Sequence, residues 1–339
     1  MCCVISELLM GLEARLYSLE RPRAVLRLPE GFRVVELRPP GEGEHYLYLV
    51  RKVGVSTERA LRLLSRYIRK GSHAGLKDAH SISYQYLSTP YPGPSFIDLG
   101  SVKAWLVGQG AKLKRGSHGG NLFRIALESE GAELLEKNLR AIREVPAFYG
   151  PQRFGRRLTT HLYGLAIARG DPGALAREFK RGLSFERRLL QEARERRDPW
   201  LLLRRAERIY SEALQAYLFN RALSRVIREG ELAEVGERAL EVRACSSSAR
   251  LPAVRLPYEG LKGTRWADVV RQVMEEEGIT RGELRRVKGE LRPLYYLAQI
   301  RSVAREGNRV SFTLCLPPGA YATALLREVA EVVREPSQE

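Results

Sequence analysis

The residue best placed to do chemistry in this chain is Asp78, which lies between a glycine-leucine-lysine turn and an alternating run in the segment His73 to Gln85, HAGLKDAHSISYQ. Gly71 and Gly75 permit tight turns ahead of it, and the neighbouring Lys77 supplies an ammonium that favours an ionised carboxylate. A charged aspartate held on a loop can serve as a nucleophile or as an electrostatic stabiliser. An aspartate before a strand also serves as a turn residue that bonds its own backbone, and local sequence leaves both readings open. His45, His73 and His80 read as turn or strand-edge residues rather than catalysts.

Two glycine patterns fail as nucleotide-binding loops. A P-loop needs four residues between its glycines and a lysine followed by Ser or Thr, whereas three residues separate Gly71 from Gly75 and Asp78 follows Lys77. Gly41-Glu-Gly43 lacks the third glycine of a dinucleotide fingerprint and leads into a strand-like run.

Around Asp78 the elements follow from periodicity. Ser81, Ser83 and Gln85 alternating with Ile82, Tyr84 and Tyr86 predict a half-buried strand that opens just after His80. Upstream, Phe32 to Lys52 reads as two strands joined by a Pro39-Pro40-Gly41 turn. Ser56 or Thr57 then caps a helix whose Ala60, Leu64 and Ile68 repeat at helical spacing up to Gly71. Strands are expected around Val102 to Val107 and Leu122 to Leu127, with a helix over Leu134 to Ile142. After Arg156 the texture turns to charged helices. Arg177 to Arg197, Arg181 included, mixes arginines with glutamates and reads as a solvated face. Glu212 to Ile227 is a helix with a core-type stripe, Cys245 to Pro257 an irregular connection, Val310 to Leu316 a strand, and Ala322 to Val333 a closing helix.

At 339 residues and 44% hydrophobic content, the chain has room for two globular domains. Its 57 Lys and Arg against 40 Asp and Glu give +17, which points to a polyanionic partner, nucleic acid first; a basic surface without a ligand is the alternative. Cys2, Cys3, Cys245 and Cys315 show no spacing of a zinc site or disulfide framework, which fits a reducing cytoplasm. The apolar run Leu8 to Leu12 is short and acid-flanked, so it reads as a helix or tail rather than a signal, and no membrane span is expected.

Several motifs occur in one order: Glu30-Gly-Phe32 with Val34, Val35 and Glu36; Gly41 to His45; Ala74-Gly-Leu-Lys-Asp78 with Gln85; Gly120-Asn-Leu-Phe123; Val145-Pro146 with Tyr149-Gly150 and Gln152-Arg-Phe-Gly155; and Leu316-Pro-Pro-Gly-Ala-Tyr-Ala-Thr323 with Arg327-Glu328. Together they resemble the D family of tRNA pseudouridine synthases, which isomerises the uridine at tRNA position 13. The helix with Gln215, Tyr217, Leu218, Phe219 and Asn220 looks like a landmark of that family's inserted domain. Two positions depart from the pattern: Ala147 stands where the family has Asn, and a family lysine falls near Leu26, with Arg27 adjacent.

The resemblance implies an α/β (α+β) fold, with a pseudouridine synthase-like catalytic domain on an extended, mainly antiparallel sheet formed by residues 1–155 and 291–339. A largely helical inserted domain would occupy 156–290. It implies uridine-to-pseudouridine isomerisation in tRNA with Asp78 as catalytic nucleophile and a flipped-out base, no cofactor or metal, and a cytoplasmic setting. Phe32, Lys77, Tyr149, Arg153 and Tyr321 would bind substrate, Lys77 by keeping Asp78 charged and Arg153 by contacting phosphate or bracing its loop. The partner would be tRNA or another structured RNA, with no membrane and no obligate protein partner. The runner-up is an RNA-binding protein or chaperone of the same fold with weak or lost catalysis; a methyltransferase is disfavoured for want of a cofactor loop.

Overall fold

The strand expected after Asp78 forms over Ile82–Thr89, in the middle of a large sheet rather than at a solvent face. The structure, a computed structural model, describes residues 2–37, 41–114, 116–180, 182, 184–206, 208–245 and 247–336. The Pro39-Pro40 part of the expected turn and Arg181 lie outside the described residues.

The chain divides into two compact units, one of residues 17–146, 241–250 and 296–339, the other of residues 1–16, 147–240 and 251–295. In the first, the strands are β1 (Arg23–Leu28), β2 (Phe32–Glu36), β3 (His45–Val53), β4 (Ser72–His73), β5 (Ile82–Thr89), β6 (Phe96–Asp98), β7 (Val102–Gly110) and β8 (Asn121–Glu128), then Gln299–Glu306, Arg309–Leu316 and Glu331–Pro336. Among the described residues these eleven strands make one sheet, running Gln299–Glu306, Arg309–Leu316, β8, β2, β5, β3, β7, β6. Most neighbours are antiparallel; β2 with β5 and β1 with Glu331–Pro336 are parallel. Ser81, Ser83 and Gln85, on the polar side of the expected alternation, are buried together with Leu87, whereas Tyr84 and Tyr86 on the other side are only half-buried.

The Thr57–Leu64 helix packs Ala60 and Leu64, with Ile68 just beyond it, onto Tyr48, Val50 and Leu87. Ser56 caps it by accepting the Arg59 N–H, and it stops at Leu64, short of Gly71. The closing helix likewise ends early: Ala322–Val329 is helical, and Glu331–Pro336 instead pairs along the whole of β1. Val332 and Val333 are better strand than helix residues, and β1 offers them an open edge.

The second unit carries the helices Thr160–Ala168, Pro172–Phe179, Ser184–Glu195, Arg208–Glu229 and Arg265–Glu276. Tyr163, Ile167, Phe179, Leu190, Leu202 and Tyr210 form one of its cores. The segment expected to be irregular is instead the Ser247–Arg255 strand, paired through Ala253, Val254 and Arg255 with Leu291–Pro293. The cysteines are also corrected: Cys245 and Cys315, both in the sheet unit, form a disulfide with Cα atoms 6.4 Å apart. Their separation of 70 residues is why no local spacing announced it. Among the described residues no helix is long and apolar enough to cross a membrane.

Candidate active site at the Asp78 loop

After pairing with the far end of β5, β4 hands the chain to residues 74–81, which lead to the start of β5 with Asp78 near the end of the loop. The loop backbone is clamped from below by Lys52. That lysine is fully buried on β3 in phase with Tyr48 and Val50, and its ammonium donates to the carbonyls of Asp78 at 2.7 Å, Val55 at 2.8 Å and Lys77 at 3.4 Å. Burial lowers the Lys52 pKa to about 8, with the negative charge of Asp78 acting against that shift. The Ser81 hydroxyl adds a second bond to the Asp78 carbonyl, at 2.9 Å.

The Asp78 carboxylate is tied to its own loop through one oxygen. Its Oδ1 accepts the His80 N–H at 2.9 Å, as a turn aspartate does. Among the described residues no hydrogen bond reaches Oδ2, so one oxygen orients the group and the other is available to an electrophilic carbon.

Lys77 is placed differently from the expectation. Its ammonium lies 2.6 Å from Glu36 Oε2, with the two side chains 7% and 1% exposed, so its direct partner is Glu36 rather than Asp78. The cation fixed at the aspartate's backbone is Lys52, which sequence reasoning missed. Its signal was present, since a lysine in phase with core residues of a strand must have an internal partner. The Lys77 N–H donates to Thr57 Oγ1, and Thr57 donates to Gln85 Oε1, each at 3.0 Å, so helix, loop and central strand are stitched by one hydroxyl.

Glu36 shares a face of β2 with Phe32 and Val34, and the pairing of Glu36 with Asn121 and Val34 with Phe123 puts β8 on the same face. Phe32 is buried, its ring centroid 5.8 Å from that of Phe123. The Asn121 amide lies 3.1 Å from His118 Nε2. Burial first, and the Lys77 charge second, lower the His118 pKa to about 4. Gly120 joins this loop to β8 at φ +126°, and a Cβ there would stand 3.0 Å from the Leu316 carbonyl oxygen, so only glycine fits. Tyr321, five residues past Leu316, is half-buried at the start of the Ala322–Val329 helix.

Tyr149 and Arg153 belong to the other unit. Tyr149 is buried, exchanges backbone hydrogen bonds with the Asn220 amide and packs edge-on against Phe219. Arg153 pairs with Glu212 at 2.7 Å. Ala147 is buried, and its carbonyl accepts two bonds from Arg292, at 2.8 and 2.6 Å. Arg292 also covers the Tyr149 ring at 3.8 Å. Arg27, next to the missing lysine, pairs with Glu128 at 2.8 Å.

Residues 10–177 match the family model described as tRNA pseudouridine synthase D (TruD). A tRNA pseudouridine synthase D of Geotalea daltonii is 30% identical over 89% of this chain and 94% of its own length. The chain belongs to this family. A second relative, the tRNA pseudouridine synthase D of Legionella pneumophila, is 29% identical over 93% of this chain and all of its own length. A crystal structure from Methanosarcina mazei bearing the same family name superposes with a TM-score of 0.70, covering 97% of this chain and 98% of that one at 21% identity. That likeness concerns the fold, the mixed α/β architecture with its large sheet.

Proposed function

We propose that this chain isomerises uridine to pseudouridine in tRNA, with Asp78 as the nucleophile. The observation that carries the reading is the state of the Asp78 carboxylate, with one oxygen fixed by the His80 N–H, the other without a hydrogen-bond partner among the described residues, and its backbone clamped by Lys52. In the reaction the bond between ribose C1′ and uracil N1 breaks, the base turns, and C1′ joins C5. The C5 proton is lost and N1 gains one, so the atoms balance without a redox partner. Asp78 attacks C1′ or holds the positive charge that grows there as uracil departs.

The base must leave its stack to reach the loop, and aromatic faces repay part of that cost at about 1–3 kcal/mol per stacked base. Phe32 and Tyr321 are the proposed contacts in the sheet unit. Lys77 acts one step removed, by holding Glu36 and carrying the Asp78 loop on its backbone. The cytoplasm is the proposed compartment. A disulfide is unusual there in mesophiles but occurs widely inside hyperthermophiles. The binding-only reading, which drew on Ala147, is not favoured by relatives named as synthases.

Position 13 is the proposed target. Site-resolved mapping of an unmodified tRNA transcript after incubation with the protein should find pseudouridine there, and a transcript with cytidine at that position should stay unmodified. Product at other uridines alone would contradict the assignment of position.

A further inference from the structure

The Thr57–Leu64 helix and the turn that follows it carry Arg59, Arg62, Arg66, Arg69 and Lys70, all exposed. Among the described residues none of these side chains has a carboxylate partner, and Glu58 is the sole acid between Thr57 and Lys70. Several arginines of the helical unit, by contrast, are neutralised locally. Glu192 takes both Arg196 and Arg205, and Glu276 takes both Arg221 and Arg225. A solvated basic helix supplies its own counter-charges in this way; the face of residues 59–70 does not.

Aromatic surface is interleaved with this charge. Tyr67 is 42% exposed, and Arg69 and Lys70 both lie over the Tyr91 ring, at 5.3 and 5.6 Å. The opposite side of the segment is fixed, since Ala60, Leu64 and Ile68 are buried in the core of the sheet unit. The helix is also tied directly to the Asp78 loop, because Thr57 at its first turn accepts the Lys77 N–H. The eight helical residues, which carry Arg59 and Arg62, extend about 12 Å from a start beside the loop, and Arg66, Arg69 and Lys70 follow in the turn.

We propose that the outward face of residues 59–70 is a docking surface for the phosphate backbone of the RNA whose uridine enters the Asp78 site, an inference that rests on the isomerase reading. Cations without internal partners, set along a track rather than in a pocket and mixed with ring faces, suit a polynucleotide backbone. Contacts of this kind set register and carry no base information. Because the track is fixed to the loop through Thr57, phosphates seated on it hold the target nucleotide at a set distance from Asp78.

The test uses the full chain with Arg62→Gln, Arg66→Gln and Arg69→Gln combined, exposed positions whose change leaves the core intact. Affinity for an unmodified tRNA transcript is measured across a salt series, together with the single-turnover isomerisation rate at saturating transcript. Affinity should fall about tenfold or more near physiological salt, and the slope of log affinity against log salt should become shallower by about one for each lost phosphate contact. The saturating rate should stay within about twofold, because these groups do not touch the reacting atoms. A comparison variant with Arg196→Gln, Arg205→Gln and Arg271→Gln has the same net charge and should keep its affinity.

Unchanged affinity in the first variant, equal losses in both, or a fall in saturating rate without a fall in affinity would each overturn the proposal. A parent protein that binds RNA without isomerising it, while the first variant loses binding, would defeat the isomerase reading and leave the docking surface standing.

Discussion

At Asp78, His80 occupies one carboxylate oxygen, and among the described residues no hydrogen bond reaches the other, the one proposed to meet substrate. The charges beneath it are arranged in two buried sets. Lys77 is neutralised by Glu36, and Lys52 faces carbonyl oxygens and the Asp78 charge. Removing one partner of a buried pair strands the other, so Glu36→Gln should destabilise the sheet unit by about 3–5 kcal/mol in urea unfolding. Glu36→Gln with Lys77→Met should recover most of that loss, and an undiminished single variant would show that the pair is solvated. Lys52 gives a pH signature. Its folded pKa of about 8 lies below the ordinary 10.5, so between those values the unfolded chain holds the extra proton and this group makes stability rise with pH. Lys52→Met should lack that rise when the two proteins are unfolded at pH 8, 9 and 10.

At the scale of elements, the disulfide binds the 241–250 segment to the Arg309–Leu316 strand, next to the Leu316 and Asn121 pair of the sheet. Closing so long a loop should make Cys315→Ser less stable than the oxidised parent by about 2–4 kcal/mol, and a reductant should lower the parent's melting temperature while leaving that variant's unchanged. Sequence made β2, β3, β5, β7, β8 and the Thr57 helix legible, because each has its own period or cap. It hid what depends on distant partners. The strand Glu331–Pro336 exists because β1 is there to pair with it, and Ser247–Arg255 because Leu291–Pro293 is. The site was legible in the same measure. Asp78 stood out by its local turn, whereas the Lys77 to Glu36 pair and the Lys52 clamp span 41 and 26 residues of sequence and needed the fold. The polar residues of β5 misled for that reason too, since the helix and loop that bury them precede the strand in sequence.

For the whole molecule, the excess of 17 positive charges belongs with a polyanionic substrate. Much of the arginine complement of the helical unit is spent on its own glutamates, as Arg221 is on Glu13 and Glu276 and Arg153 on Glu212. Binding strength is therefore expected from particular unpaired surfaces rather than from net charge. The proposed chemistry, by contrast, rests on one carboxylate. The measurement that bears most directly on this account is release of the C5 hydrogen from tRNA labelled at uridine C5, for the parent and for Asp78→Asn, at matched occupancy of RNA. The account predicts release by the parent, a loss of at least about a thousandfold in the variant, and RNA affinity that differs by no more than about twofold. Release at a comparable rate by a folded Asp78→Asn protein would contradict it.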